Sequence, residues 1–164
     1  MKTLILYATK HGATQEAAQR IAKKIEGVAL HNLKQSNIPS LKDFDCVIIG
    51  SSIYAGSIRK EAKTFMAQNT DSLLEKKFGL FLCGMNVNEQ KQLFDSNFSP
   101  EILKAAIITS FLGGIFDPKK AGFMERLIIK AVTKHSEYTD TIDNGKIEQL
   151  RGVIIEKHNH CGSR

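Results

Sequence analysis

The sequence predicts one three-layer α/β domain with an open parallel sheet, and three observations support this prediction. The length of 164 residues suits a single domain with its own core. Hydrophobic residues make up 42% of the chain and charged residues 24%, which are ordinary values for a globular protein. Short apolar runs without alternation are separated by segments of helical periodicity, a pattern typical of buried parallel strands joined by crossover helices. We therefore treat residues 1–164 as one domain.

The first third of the chain predicts three strands and one helix. The apolar run over 3–8 indicates a strand buried on both faces. A polar loop follows it, and apolar residues at helical spacing then predict a helix from Ala13 to Gly27. Residues 28–33 indicate a weaker second strand, and the apolar run over 46–50 indicates a third.

The rest of the chain continues this alternation after a polar loop over 51–57. The elements predicted here are, in order, a helix over 59–74, a strand over 78–83, a helix over 88–95, a proline-started turn at 99–101, a strand over 106–112 and helices over 123–134 and 146–157. The helix over 123–134 is basic and amphipathic. We expect it either to contact a membrane surface or to pack on the domain as a crossover helix.

Charge and cysteine content narrow the classes of function. The net charge of +6 predicts attraction to anionic partners without choosing among them. The three cysteines, at positions 46, 83 and 161, match neither a disulfide framework nor a zinc site, so a reducing cytoplasm and no bound metal are expected. Cys83 ends a strand and is expected to be a small buried apolar side chain, and the His- and Cys-containing tail over 158–161 is expected to be a frayed terminus.

The N-terminal segment has no signal-peptide layout, and no apolar run approaches the roughly 18 residues that span a bilayer. These features predict a cytoplasmic protein. The basic helix over 123–134 adds the expectation of peripheral contact with the inner face of the membrane.

The loop after the first strand has the composition of a phosphate site. Residues 9–14 supply two threonine hydroxyls, a lysine, a histidine and a glycine directly before a helix. Ligands of open parallel sheets bind at the carboxyl ends of the strands. A helix start also offers free backbone N–H groups and a positive dipole end. The loop therefore predicts binding of a phosphate monoester.

Other phosphate chemistries do not match this loop. It contains neither the Gly-x-x-x-x-Gly-Lys-Ser/Thr pattern of nucleotidases nor the Gly-x-Gly-x-x-Gly pattern of dinucleotide sites. A cysteine phosphatase would need a thiolate in the loop, and the nearest cysteine, Cys46, is on another strand. A phosphate-accepting response regulator would need acidic residues where this chain has Ala8-Thr9 and Gly50-Ser51.

The pattern Thr-x-His-Gly-x-Thr over 9–14 resembles the phosphate loop of flavodoxins, Ser/Thr-x-Thr-Gly-x-Thr/Ser, with His11 in place of the middle threonine. The resemblance extends to residues 47–56 and 80–86, whose counterparts in that family flank the isoalloxazine ring of FMN. It implies a flavodoxin-like fold with a five-stranded parallel sheet in the order 2-1-3-4-5. It also implies one noncovalently bound FMN.

The implied FMN site has a phosphate side and a ring side. The phosphate side consists of Thr9, Lys10, His11, Gly12, Ala13 and Thr14. The ring side consists of Ser51, Ser52, Ile53, Tyr54, Ala55, Gly56, Cys83, Gly84, Met85 and Asn86. The tyrosine of this set is expected either to stack on the ring or to cover the sheet end. The Ala55-Gly56 peptide would approach the ring closely, and the lack of an aromatic residue after the fourth strand would leave one ring face open.

A narrower resemblance rests on residues 47–56 together with 123–134 and 138–141, which look like the quinone-dependent protoporphyrinogen IX dehydrogenase branch of the family. It implies an oxidoreductase that passes electrons to a quinone. The positive net charge favours this branch, since flavodoxin electron carriers are typically acidic. No residue can be named as an acid or base from the sequence, because the flavin itself accepts the hydride and the protein mainly orients it. Two alternatives stay open, a small electron carrier that docks to protein redox partners and a non-redox anion or nucleic-acid binder; the flavin interpretation expects no nucleic acid.

Overall fold

A parallel sheet of five strands forms the centre of the computed structural model, which describes residues 1–23, 25–133 and 137–159. The strands of the sheet and its short hairpin partner are β1 (Thr3–Ala8), β2 (Val28–Asn32), β3 (Cys46–Tyr54), β4 (Ser57–Ile58), β5 (Lys77–Cys83) and β6 (Thr109–Phe111). The parallel strands lie in the order β2-β1-β3-β5-β6, and the two-residue β4 pairs antiparallel with β3. Without β4 this is the predicted order 2-1-3-4-5, so the predicted fold is confirmed.

Helices cover both faces of this sheet, and a small ribbon lies apart from it. The helices are α1 (Ala13–Ala22), α2 (Lys60–Leu74), α3 (Gln90–Asn97), α4 (Pro100–Ala105), α5 (Phe123–Thr133) and α6 (Asn144–Asn159), with a 3-10 turn at Leu41–Asp43. The ribbon consists of β7 (Ile115–Phe116) and β8 (Thr139–Asp140), which pair antiparallel.

Each central strand contributes to two separate core layers. In β1, Leu4 and Leu6 pack in the layer that contains Phe65 of α2, whereas Ile5 packs in the layer that contains Ile21 of α1. Successive side chains of a strand point to opposite faces, so a strand buried on both sides is apolar at every position. This arrangement explains the uninterrupted apolar runs of the sequence.

The segment predicted as a polar loop over 51–57 is instead a β-hairpin. Strand β3 continues to Tyr54 and returns through the two-residue turn Ala55-Gly56 into β4. The φ angles of these two turn residues are 49° and 75°, the positive values that a type I′ turn requires. The continuation escapes sequence inspection because the polar pair Ser51-Ser52 interrupts the apolar run.

Several predicted element bounds also differ from the structure, and the turn predicted at 99–101 is the start of the helix α4. Helix α1 ends at Ala22 rather than at Gly27. The buried guanidinium of Arg151, on α6, donates hydrogen bonds to the carbonyl of Ile21 (3.0 Å) and to that of the residue before it, and thereby satisfies the free carbonyls of the helix end. The strand predicted over 106–112 pairs with β5 over three residues only.

The chain leaves the sheet after β6 and returns before α6, and we call residues 113–143 the excursion. Gly113 starts it with a φ of 84°, and a Cβ atom at this position would lie 2.1 Å from the carbonyl oxygen of Thr141. The N–H of Thr141 donates to the carbonyl of Gly114 at 2.8 Å. The two ends of the excursion are therefore in direct contact at Gly113, Gly114 and Thr141, next to the ribbon of β7 and β8.

Helix α5 lies on this excursion, and its apolar side chains are mostly exposed. Phe123 is 74% exposed, Met124 65%, Ile128 51% and Leu127 49%. These side chains do not form the buried apolar face that a crossover helix over 123–134 would have, so that expectation is wrong for them. Among the described residues, no helix has the length and hydropathy to cross a bilayer.

Candidate functional site

A cavity of about 360 Å³ opens at the carboxyl edge of the sheet. Its walls come from the loops after β1, β3 and β5, from α3 and from the excursion. Every predicted site residue except Gly12, Thr14 and Ser51 lines it. The structure thus brings the three predicted loops together around one space, as expected for strand ends of an open parallel sheet.

The loop over 9–14 is shaped by a hydrogen bond within itself. Gly12 precedes α1 with a φ of 98°, a left-handed conformation that glycine adopts without steric cost. The N–H of Gly12 donates to Oγ1 of Thr9 at 3.0 Å. This bond folds the loop over the start of α1, where backbone N–H groups can meet an anion.

Two predicted site residues support the loops from behind the cavity. Ser51 is buried, accepts a hydrogen bond from the N–H of Arg59 (2.9 Å) and donates to the carbonyl of Ser52 (3.1 Å), so it stabilises the hairpin. Thr14 is fully buried beside the thiol of Cys83. Burial raises the pKa of Cys83 to about 12, with the threonine hydroxyl acting in the opposite direction. The thiol is therefore protonated at neutral pH and acts as a small apolar wall residue, as expected from the sequence.

The hairpin after β3 is held from two sides by residues that the sequence did not single out for this role. Asn97 of α3 accepts from the N–H of Ile58 through Oδ1 and donates to the carbonyl of Gly56 through Nδ2, both at 2.9 Å. Nζ of Lys10 lies 3.8 Å from the centre of the Tyr54 ring. A cation at this distance is attracted to the ring face. Tyr54 is nevertheless 44% exposed, so a large part of its ring borders solvent at the cavity.

The loop after β5 presents backbone and sulfur rather than an aromatic ring. The N–H of Gly84 donates to the carbonyl of Gly113 at 3.0 Å, which joins this loop to the start of the excursion. A Cβ atom at Gly114 would lie 3.3 Å from Sδ of Met85. Asn86 uses its side-chain oxygen for the N–H of Asn88. The loop contains no aromatic residue, and the open ring face on this side of the cavity stays a prediction.

Glu125 of α5 reaches across to the phosphate loop and was not predicted. Its carboxylate forms an ion pair with Lys10, accepts a hydrogen bond from Nε2 of His11 (2.9 Å) and accepts another from the N–H of Gly122 (3.1 Å). The carboxylate side chain is only 12% exposed. No local sequence signal could have identified this contact, because it joins residues that are 115 positions apart.

Most of the surroundings of His11 favour its neutral form. Burial lowers its pKa, and the positive charges of Lys10, Arg59 and Lys120 act in the same direction. A neutral ring with hydrogen on Nε2 donates to the carboxylate of Glu125. Nζ of Lys120 lies 4.0 Å from the place where a Cβ atom of Gly12 would be, so this excursion residue also brings positive charge to the loop.

The residues present fit FMN. The phosphate loop combines the start of α1 with nearby positive charge, which suits a phosphate monoester. The buried hydroxyl of Ser52 has no hydrogen-bond partner in the described part of the chain, and it belongs to a residue that lines the cavity. Met85, Phe116 and Ile128 supply apolar surface for a planar ring system. No three His, Cys, Asp or Glu side chains meet as a metal site within the described residues; the side chains of the tail over 158–161 lie outside them.

Comparison with known proteins decides the family. A family model described as a flavodoxin domain matches residues 4–143. The chain belongs to the flavodoxin family.

Individual flavodoxin-like proteins resemble the chain more distantly. Protoporphyrinogen IX dehydrogenase (quinone) of Escherichia coli strain K12 is 24% identical over 152 residues, with 83% of this chain and 81% of that protein covered. The flavodoxin of Streptococcus pneumoniae TIGR4 superposes with a TM-score of 0.61 at 15% identity and covers 96% of this chain and 99% of its own. A flavoprotein from Lactobacillus acidophilus NCFM in complex with FMN superposes with a TM-score of 0.54 at 18% identity and covers 67% of this chain and 92% of its own. These structures share the fold of the flavodoxin domain described above.

Proposed function

We propose that this flavodoxin domain binds FMN and is an oxidoreductase that passes electrons from an organic substrate to a quinone, with protoporphyrinogen IX as the substrate. The observation that supports this best is the continuity of the cavity, which runs from the phosphate loop to an apolar wall on the excursion. The Escherichia coli relative, named for protoporphyrinogen IX and quinone, supports the choice of substrate and acceptor.

The residues of the chain bind and orient the cofactor. Bound FMN would supply reversible uptake of two electrons with protons, chemistry that no side chain of the site offers. The backbone of the phosphate loop, Thr9 and Lys10 hold the phosphate. Ser52 borders the cavity, and its buried hydroxyl has no hydrogen-bond partner among the described residues. The Ala55-Gly56 turn borders the same cavity and presents backbone groups there.

The apolar end of the cavity suits a planar substrate. Phe116 is 3% exposed, and together with Ile128 and Ile129 it lines the side formed by the excursion. Opposite them, the loop after β5 has Met85 and no aromatic ring that would cover the flavin face. A porphyrinogen or a quinone ring would gain apolar contact in this space and lie next to the cofactor.

The exposed face of α5 supports contact with a membrane that contains the quinone. Phe123 and Met124 are largely exposed, and exposed basic side chains occupy positions 119, 120, 126 and 130. An amphipathic helix of this kind lies in the interface of an anionic bilayer. We accordingly propose a cytoplasmic protein in peripheral contact with the inner face of the membrane. Lys134, the last residue of the predicted helix, lies outside the described residues.

Reconstitution with FMN followed by turnover tests the proposal. The purified chain of residues 1–164 should become yellow, and the FMN-loaded protein should oxidise protoporphyrinogen IX with a menaquinone analogue as acceptor. The matched control is the same FMN-loaded protein, given the electron acceptor but no porphyrinogen. A colourless protein would contradict the proposal that FMN binds. A yellow protein without turnover would contradict the proposal that protoporphyrinogen IX is the substrate.

An electron carrier without a substrate of its own is the second candidate. Tyr54 lines the cavity and is 44% exposed, and Val87, which directly follows the loop after β5, is 47% exposed. Exposed apolar residues beside a redox site suit transient docking of a partner protein. Rapid electron exchange with a flavodoxin reductase, combined with no porphyrinogen turnover, would favour the carrier.

A further inference from the structure

Glu125 brings an anion of the chain itself to the phosphate loop. Its carboxylate contacts the ammonium of Lys10 and Nε2 of His11, the latter at 2.9 Å. The acidic side chain is 12% exposed, whereas the lysine and histidine side chains are 32% and 35% exposed. Water therefore screens this carboxylate only in part, and its charge acts on the loop at short range.

A phosphate monoester bound in the same loop would meet the same two side chains, Lys10 and His11. The single Nε2–H of His11 donates to one anion at a time. A carboxylate and a phosphate that both approach Lys10 repel each other. Lys120, near Gly12, adds positive charge that remains for the phosphate. The backbone N–H groups at the start of α1 do not take part in the contacts of Glu125, so they also remain.

The position of Glu125 connects this competition to the excursion. The ion pair and the hydrogen bond of its carboxylate join α5 to the phosphate loop. The neighbouring side chains Phe123 and Met124 are exposed and give α5 little apolar packing. An anion that takes Lys10 and His11 from Glu125 thus removes a main polar attachment of α5.

We propose that Glu125 competes with the cofactor phosphate for Lys10 and His11. This competition lowers the selectivity of the site for FMN over riboflavin. Phosphate binding then releases the contact between α5 and the phosphate loop. The inference rests on the proposed FMN site. Glu125 is a positioning residue in this scheme, because it acts on the cofactor through the two loop side chains.

Flavin titrations of Glu125→Gln test the competition. Glutamine keeps the shape and can still accept hydrogen bonds from Lys10 and Gly122, but it lacks the negative charge. The dissociation constant for FMN should fall about tenfold, as expected when one close like charge is removed. The constant for riboflavin should stay within about twofold, since riboflavin has no phosphate, and this also reports that the cavity is intact. Glu101→Gln, which removes the same charge from the exposed first turn of α4, is the matched control and should change neither constant.

Hydrogen exchange gives a second measurement on the unaltered protein. FMN should speed amide exchange over 123–131, whereas riboflavin should not. In Glu125→Gln, which lacks the negative charge, FMN and riboflavin should give equal exchange rates over 123–131.

Three outcomes would overturn the inference. Equal changes in affinity for both flavins would mean that Glu125 acts on cavity shape. Weaker FMN binding by the variant would mean that the carboxylate prepares the loop for phosphate. Absence of flavin binding by the unaltered protein would overturn the proposed cofactor along with this inference.

Discussion

The phosphate loop and α5 face each other across one cavity, yet they are held in different ways. The loop follows β1, whose residues are all buried, and precedes α1, which packs through Ala17, Ala18 and Ile21. Helix α5 has Glu125 and Ile129 as its partly buried residues, and its other described side chains are exposed. The loop is thus fixed by the core, whereas α5 is fixed by the ends of the excursion and by contacts with the loop. One wall of the site is rigid and the other is attached by few interactions.

The largest effect should come from breaking the point where the excursion is fastened. Gly113→Ala should lower the free energy of unfolding by about 3 kcal/mol, because a Cβ atom would lie 2.1 Å from the carbonyl oxygen of Thr141 at a φ of 84°. Urea unfolding measures this loss. Gly56→Ala is the control. The φ of Gly56 is 75°, but a Cβ atom there would have no heavy atom beyond its chain neighbours within 4 Å, so this substitution should lower the free energy of unfolding by about 1 kcal/mol. Equal losses in the two variants would show that left-handed strain alone matters and that the ends of the excursion are not tightly fastened.

Thr9→Val should disrupt the phosphate loop and weaken FMN binding without unfolding the domain. The substitution removes the oxygen that accepts from the N–H of Gly12 at 3.0 Å, so the loop loses its internal bond and a hydroxyl for the phosphate. Losing such hydrogen bonds costs roughly 1–3 kcal/mol, which predicts FMN binding weaker by about tenfold or more. Fluorescence titration with FMN measures the change. Thr64→Val on the exposed surface of α2 should leave the affinity unaltered, and an unaltered affinity for Thr9→Val would remove the loop from the site.

The pH dependence of stability tests how completely the thiol of Cys83 is shielded from water. Burial raises the pKa of its thiol to about 12, above the value in the unfolded chain. Its contribution to stability is therefore complete below the unfolded pKa of about 8.5 and is lost as the pH rises toward the folded pKa. From pH 9 to pH 10 the unfolding free energy of the unaltered protein should fall by about 1.2 kcal/mol more than that of Cys83→Ala. Parallel pH curves from chemical denaturation would contradict the burial of this thiol. Cys46, with a pKa of about 11, contributes equally to both proteins.

The smallest effect on stability should come from the outer face of α5. Phe123→Ser combined with Leu127→Ser should change the unfolding free energy by less than about 0.5 kcal/mol, because these side chains are 74% and 49% exposed. The same variant should bind phosphatidylglycerol-containing vesicles about tenfold more weakly in flotation. Leu30→Ser, at a 39% exposed position on the edge strand β2, is the matched control and should not change vesicle binding. Equal vesicle binding by the double variant and the unaltered protein would exclude α5 as the membrane contact.

Sequence predicts the rigid part of the molecule much better than the excursion. Strands buried on both faces leave an unmistakable apolar run, as over 3–8 and 46–50, and their order follows from the family resemblance. The hairpin after β3 was missed, because the buried Ser51 interrupts the run even though its hydroxyl is used within the hairpin. The ribbon of β7 and β8 was missed because two-residue strands have no period to detect.

The same contrast applies to the candidate site. Its loops were predicted, since they follow the carboxyl ends of predicted strands, and the structure gathers them around one cavity. Asn97 and Glu125 were not predicted as site residues. Asn97 contacts a hairpin 41 residues earlier in the chain, and Glu125 contacts a loop 115 residues away. Contacts of this kind depend on how separate elements pack, and a local pattern in the sequence does not contain that information.

The antiparallel pairing of Ile115 with Asp140 and of Phe116 with Thr139 has a consequence for engineering the chain. The chain enters and leaves the segment 117–138 through two neighbouring paired strands, so any replacement must bridge only the distance of an ordinary hairpin. A two-residue Asn-Gly connection in place of 117–138 would close the ribbon and leave the sheet register untouched. A longer or different insert could join the same two strands. The ribbon is therefore a suitable place to graft new recognition elements beside an unchanged sheet.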